Sequence, residues 1–325
     1  MTTAPDPEQS VTTDVVTVGE TMALFKTDTP GPLPHAPSWS LGIGGAESNV
    51  AVALQRLGTS VTWIGRVGAD SPGDLVVREL KGEGITVVPV RDDAAPTGLM
   101  IKERRTADAL KVWYYRSGSA GSRLHPDDVP DGVIERSRLL HVTGITPALS
   151  SSAAAATHQA IDRAKAAEVL VSFDLNYRTA LWSHEAAGHQ FRQIIAKADI
   201  VFAGDDEAAI AVGPASEPSE LAARIAALGP TQVILKRGAQ GCLAQIEGTE
   251  YAREALPVRV VDTVGAGDAF VGGYLSEMLR GSDIDHRLLT ANQVGAFACL
   301  VPGDWEGMPR RAELHLLNPS DPVSR

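Results

Sequence analysis

The chain has 325 residues, 44% apolar and 21% charged, a composition that sustains a large buried core and excludes wholesale disorder. Lys and Arg number 29 against 40 Asp and Glu, a formal charge of −11, and no basic run supplies the face that nucleic-acid binding needs. No apolar run reaches the ~18 residues of a bilayer span, and residues 1–10 lack the basic start and apolar segment of a secretory signal. With only Cys242 and Cys299, neither a disulfide framework nor a thiolate cluster is available, so the expected compartment is the reducing cytoplasm.

Residues 14–18 read as a first, continuous apolar strand. Residues 21–26 and 38–43 then flank a Pro/Gly-rich turn at 28–34, and a helix at 47–57, a strand at 60–65 and a helix at 72–81 follow. Residues 98–105 and 110–116 alternate apolar and polar around a short turn, a hairpin signature. Beyond them, strands at 138–143, 169–174, 199–202 and 232–236 alternate with helices at 150–167, 185–198 and 217–228. A strand-like run at 258–261 leads into a glycine-rich turn and a helix ending near Arg280, and Asn292 falls on a last long helix.

Strand and helix in repeated alternation predict an α/β fold, a three-layer sandwich around a mainly parallel sheet. The strands outside this rhythm predict a small β lid over the carboxyl ends of the parallel strands, where open α/β sheets bind ligands. A single domain over 14–317 is expected, with lid strands inserted at about 20–43 and 86–116, and with mobile tails at 1–13 and 318–325. Exposed lid edges are a natural surface for a second copy, so a homo-oligomer through the lid is expected.

The sharpest local signal is Asp262-Thr263-Val264-Gly265-Ala266-Gly267-Asp268-Ala269-Phe270. Two glycines and an alanine at a helix start leave N–H groups unobstructed where the helix dipole favours an anion. Asp268, in the first helical turn, is expected to be ionised and able to accept the proton of a hydroxyl attacking phosphorus. The plain alternative is a glycine-rich turn with Asp268 as a helix cap. The segment is not a Walker loop, since no Gly-Lys-Ser/Thr follows, nor a dinucleotide fingerprint, since Phe270 stands where the third glycine would be.

This segment, with Gly44-Gly45-Ala46-Glu47-Ser48-Asn49 and the 65–73 stretch GRVGADSPG, resembles the ribokinase-like (phosphofructokinase-B type) family of sugar kinases over roughly residues 14–317. The resemblance implies the three-layer fold with a β lid, and a catalytic base at Asp268 with an anion hole at Gly265, Ala266 and Gly267. ATP and Mg²⁺ are implied as cosubstrate and ion. The run Lys236-Arg237-Gly238-Ala239-Gln240-Gly241 resembles the family's nucleotide-lining turn, which assigns Lys236, Gly238 and Gly241 to ATP, and Asn292 resembles a residue of the adenine pocket. In the family's Asn-x-x-Glu element the Glu helps hold Mg²⁺ through water. Here Glu207 is kept while Gly204 replaces the Asn, so that Asp205 or Asp206 would complete the shell. Read alone, this acidic run before a helix is equally a cap.

Two Tyr–Arg pairs bear on the sugar: Trp113-Tyr114-Tyr115-Arg116 and Asn176-Tyr177-Arg178. A guanidinium matches a carboxylate in bidentate fashion, and two of them in a chain of charge −11 suit an acidic sugar better than a neutral one. Arg178 could instead address ATP phosphates. These pairs, with Gly-Asp-Trp-Glu-Gly at 303–307, resemble the members of the family that act on 2-keto-3-deoxy sugar acids. That similarity implies sugar contacts from Gly45, Asn49, Tyr114, Arg116, Arg178 and Asp268, with Asn176 and Arg178 also bordering the nucleotide. Met100 stands where that group often has a lid tyrosine. The rival readings are a kinase of a neutral sugar such as fructose or ribose, a non-catalytic sugar-binding regulator on this fold, and a dinucleotide dehydrogenase.

Overall fold

The computed structural model describes residues 13–27, 29–106 and 109–317. The tails expected at 1–13 and 318–325 lie outside them except for Thr13, which opens the first strand, and one residue of the 28–34 turn and two of the hairpin turn also lie outside. Thirteen strands and nine α-helices are seen among the described residues. They are β1 (Thr13–Val18), β2 (Met22–Thr27), β3 (Trp39–Gly44), α1 (Ala46–Arg56), β4 (Val61–Gly68), α2 (Ser71–Gly82), β5 (Thr86–Asp92), β6 (Leu99–Arg104) and β7 (Leu110–Tyr115). Next come β8 (Ser137–Thr143), α3 (Ile145–Leu149), α4 (Ser151–Ala166), β9 (Leu170–Asp174), α5 (His184–Ile195), β10 (Ile200–Ala203), α6 (Asp205–Val212) and α7 (Pro218–Ala226). The chain closes with β11 (Gln232–Lys236), β12 (Cys242–Ile246), β13 (Thr249–Arg253), α8 (Ala266–Leu279) and α9 (Ile284–Ala298).

Nine strands form the main sheet in the order β13-β12-β11-β10-β9-β8-β1-β4-β5, parallel from β11 to β5 and closed by an antiparallel meander at β12 and β13. Strands β8 to β11 are Val/Leu/Ile/Phe runs buried on both faces, as helices on both sides require. One face packs α1, α2, α8 and α9 around Val50, Leu54, Phe202 and Tyr274. The other packs α4, α5, α6 and α7 around Ile161, Phe173, Phe191 and Ile225. Helix α8 is buried almost all round. It crosses α1 so closely that a Cβ on Gly272 would stand 2.4 Å from that of Ala53, and this approach fixes the start of α8 against the start of α1.

The lid is a four-stranded sheet, β3-β2-β6-β7, with β2 and β6 parallel and the other pairs antiparallel. Its second insertion is shorter than the span 86–116. Strand β5 pairs in register with β4 and belongs to the main sheet, where its mostly half-buried residues suit the edge of a parallel sheet. The strand expected at 258–261 is also absent: Val260 and Val261 are exposed, and the segment from 254 to 260 runs extended without a ladder partner. Pro257 has no N–H to give a ladder, and the segment instead forms one wall of the cleft.

Candidate active site

A cleft of about 950 Å³ lies at the carboxyl ends of β9, β10 and β11. Met100, Lys102, Val112 and Tyr114 of the lid line one part, the turn after β11, the 255–260 segment and α9 line another, and residues 263–268 lie in its wall. Tyr114, Asn176, Arg178, Glu207, Lys236, Gly238, Gly241, Gly265, Ala266, Gly267, Asp268 and Asn292 all line this one space. Gly45, Asn49 and Arg116 do not; they stand behind its wall.

Asp268 is at the first turn of α8, 8% exposed. Its Oδ2 accepts a hydrogen bond from Asn49 Nδ2 at 2.8 Å, and its Oδ1 accepts one from Asn176 Nδ2 at 3.3 Å. Asn176 reaches it from a left-handed backbone (φ 40°), a conformation that Asn tolerates better than most side chains. Helix position alone predicts a readily ionised carboxylate, but burial dominates. Desolvation pushes the Asp268 pKa up to about 7, and the Asn49 hydrogen bond and the charges of Lys236 and Arg178 hold it down only in part. An acid poised near neutrality beside a ligand cleft is suited to take up a proton.

Gly265, Ala266 and Gly267 open α8 in the cleft wall; the Ala266 N–H donates to Thr263 O at 3.2 Å, and Gly265 makes the turn in a backbone that only glycine enters easily. Gly265 has φ 77°, and a Cβ there would sit 1.8 Å from the carbonyl oxygen of Asp304. Lys236, at the end of β11, places Nζ 2.7 and 2.6 Å from the two oxygens of the fully buried Asp174. Burial pulls the Lys236 pKa down, but the Asp174 and Glu207 carboxylates outweigh it and the net shift is upward. The ammonium is thus charged and held rigid about 3.6 Å from a Cβ position on Gly267.

Glu207 is held by two backbone N–H groups: Oε2 accepts from Gly204 N at 2.7 Å, capping α6, and Oε1 from Tyr177 N at 2.9 Å in the loop after β9. The cap reading and the cleft reading therefore hold together, since Glu207 is both. Asp205 does not join the cleft; it pairs with Arg237 at 3.1 Å. Asn292 is buried, donating to Glu254 O at 3.2 Å.

Arg116 differs most from its expected role. Its Nε and Nη2 grip Oε2 of the buried Glu20 at 2.8 and 2.5 Å, and its guanidinium lies 5.8 Å over the Tyr114 ring. Its charge is largely spent on Glu20, which also accepts from Ser119. Arg178, by contrast, is exposed in the cleft, and among the described residues its guanidinium bonds the carbonyl of Tyr177 alone, at 3.1 Å. Gly45 is needed for packing: a Cβ there would meet Glu20 O at 2.4 Å.

The roles of three buried charged residues escaped the sequence reading, two of them, Lys102 and Asp304, in the cleft lining. Lys102 and Asp304 pair with each other at 3% and 6% side-chain exposure, and Glu47, buried behind Gly19, accepts from Thr143 and Thr146 at 2.8 and 2.6 Å. A lysine in a strand of alternating pattern reads as solvent-facing, and only the Gly-Asp-Trp-Glu-Gly run hinted that the Asp304 loop mattered.

An anion cradle at a helix start, a buried near-neutral carboxylate and a rigid lysine in one cleft define a phosphoryl-transfer enzyme on an α/β fold. The chain belongs to the pfkB family of carbohydrate kinases, which it matches over residues 12–311. It is 37% identical over 305 residues to the 2-dehydro-3-deoxygluconokinase of Bacillus subtilis (strain 168), covering 93% of this chain and 94% of that one. The 2-dehydro-3-deoxygluconokinase of Thermoproteus tenax is 35% identical over 304 residues, 92% of each chain. Among solved structures, a putative ribokinase II from E. coli in complex with ATP and Mg²⁺ superposes with a TM-score of 0.87 at 25% identity, covering 94% of this chain and 98% of that one.

Proposed function

We propose that the protein transfers the γ-phosphoryl group of ATP to the terminal hydroxyl of a 2-keto-3-deoxy sugar acid, 2-keto-3-deoxygluconate giving its 6-phosphate. The observation that carries this reading is Asp268, buried, oriented by Asn49 and Asn176, and adjacent to the helix start at Gly265, Ala266 and Gly267. Asp268 takes the proton of the attacking hydroxyl, and the backbone N–H groups of this helix start receive the charge that develops on the phosphoryl oxygens. The turn at Lys236, Gly238 and Gly241 and the side chain of Asn292 border the nucleotide. The curated relatives' printed substrate supports the sugar acid.

The donor set suits Mg²⁺ in one respect: Glu207 presents a hard carboxylate to the cleft with lone pairs left after its two N–H bonds. Among the described residues no group of three or more His, Cys, Asp or Glu comes together, so the ion would take most of its ligands from phosphate and water. When bound it neutralises phosphate charge. Arg178 is the cleft cation available to a carboxylate or a phosphate, and Tyr114 adds a hydroxyl.

The pairing of Arg116 with Glu20 favours a second reading, a neutral-sugar kinase, since it leaves one uncommitted guanidinium at the sugar end. Coupled ADP release over a panel of 2-keto-3-deoxygluconate, its 4-epimer, fructose and ribose separates the two. Turnover is expected on the keto-deoxy acids, and far faster turnover of fructose or ribose overturns the acid reading.

The lid's outer face carries Leu41, Phe25, Ile101 and Trp113 in one cross-strand row, with Trp39 and Tyr115 beside it, and Leu41 and Tyr115 are 54% and 62% exposed. This apolar sheet face suits a second copy of the chain. Light scattering is expected to give a dimer, and Trp113→Glu a monomer. Among the described residues no helix is long and apolar enough to cross a membrane, in keeping with the proposed cytoplasmic location.

A further inference from the structure

Three cations project from the inner face of the lid onto two loops that flank the anion cradle. Lys26 and Lys102 are register partners on β2 and β6, and Arg104 follows two residues on. Lys26 pairs with Glu306. Lys102 pairs with Asp304 and stands 3.8 Å from Asp262 Oδ2, while Arg104 reaches the same Oδ2 at 3.2 Å and the Val261 carbonyl at 2.8 Å. Lys102, Asp262 and Asp304 are each nine-tenths or more buried, so these contacts are not the weak pairs of a surface.

Both aspartates touch the turn that supplies the N–H groups, Asp262 by its carboxylate and Asp304 by its backbone carbonyl. Asp262 Oδ1 accepts from Val264 N at 3.0 Å and its Oδ2 from Gly303 N at 3.3 Å, tying the turn to the 303–307 loop. The carbonyl of Asp304 lies against Gly265, where a single Cβ would not fit. The same loop is pinned to the lid by Trp305 Nε1, which donates to Ile43 O at 3.1 Å, and to α1 by Arg56, which donates to Met308 O at 2.6 Å. Any shift of Asp304 therefore displaces Gly265.

We propose that Lys102 is a positioning residue for phosphoryl transfer: by holding Asp304 and Asp262 between the lid and the α8 turn, it aligns the Gly265–Gly267 N–H groups and makes their alignment depend on the position of the lid. The ion pairs are the latch, and the acceptor need not touch Lys102. This rests on the reading of residues 265–268 as the transfer site. A misplacement of about 1 Å at such a site lowers turnover by about 100-fold.

The test compares wild type, Lys102→Met, Asp304→Asn and the double variant, with kcat expressed per nucleotide-binding site so that misfolded protein does not count. Lys102→Met is expected to lower kcat at least about 30-fold while the KM for the sugar acid and for ATP change less than about 3-fold. ATP hydrolysis without sugar falls in parallel, and the double variant is no worse than the worse single one. A kcat within 2-fold of wild type overturns the latch, as does a loss confined to the KM of the acceptor. Where Lys102→Met yields no folded protein, Lys26→Met serves, since Lys26 is 20% exposed and its loss loosens the same loop through Glu306. A fall of about 3-fold or more in kcat at constant KM supports the latch, and an unchanged kcat overturns it. Asp268→Asn is run alongside. If it retains full kcat, the transfer site is misassigned, whereas a dead Asp268→Asn beside a normal Lys102→Met removes the latch alone.

Discussion

Asn49 Nδ2 donates to Asp268 Oδ2 at 2.8 Å across 219 residues of chain, joining the first turns of α1 and α8. This bond favours the ionised form and works against the burial that lifts the pKa. Asn49→Ala is expected to move the acid limb of kcat/KM to higher pH by about one unit, so that activity lost at pH 7 returns at pH 9. A pH-independent loss would assign Asn49 to substrate binding alone.

The wild-type profile follows from the same carboxylate. A base is active when ionised, so kcat/KM should rise tenfold per pH unit on the acid side and level above about 7. Asp268→Asn is expected to lower kcat by 10²–10⁴-fold, roughly the value of a general base.

Stability carries the opposite sign. Between an unfolded value of 3.8 and a folded value of about 7, the folded state holds the Asp268 proton more tightly than the unfolded chain does. This group's contribution is fully present below about pH 4 and is lost as pH rises through 7, by up to about 4 kcal/mol. Denaturant titrations of wild type and Asp268→Asn from pH 4.5 to 8.5 should show a shallower fall with pH in the variant.

Arg116→Ala leaves Glu20 buried without its cation and the Tyr114 ring without the guanidinium over it, so it should destabilise by about 3–5 kcal/mol as well as weaken acid binding indirectly, through Tyr114. Arg116→Ala/Glu20→Gln separates these effects. Chemical denaturation should recover most of the stability, while the KM for the sugar acid stays raised. A KM that recovers with stability would confine Arg116 to the lid's foundation.

Gly265→Ala combines a left-handed backbone with a Cβ placed on the Asp304 carbonyl. The backbone strain alone is about 1–3 kcal/mol. We expect at least about a 100-fold loss of kcat with nucleotide affinity, read by calorimetry, changed far less.

Local chemistry made much of this legible. The parallel strands are near-continuous apolar runs, and Gly265 to Asp268 announces its anion cradle by residue type alone. The meander β12–β13 was missed because short mixed-polarity segments carry weak periodicity, whereas helix α6 was signalled by the acidic run that opens it. The run at 258–261 misled, since extended backbone and a strand share one composition until a partner exists. Ionisation of Asp268 and commitment of Arg116 were illegible for a different reason. Both depend on what stands opposite, and Glu20, Asn49 and Lys236 come from distant stretches.

The 303–307 loop fastens strands made some 260 residues earlier in the chain. A growing polypeptide therefore completes its sheet well before Lys26 and Ile43 meet Glu306 and Trp305. Premature termination just short of Gly303 would leave the cover unfastened and would also strip Trp305 and Met308 from the core beneath α1 and α8.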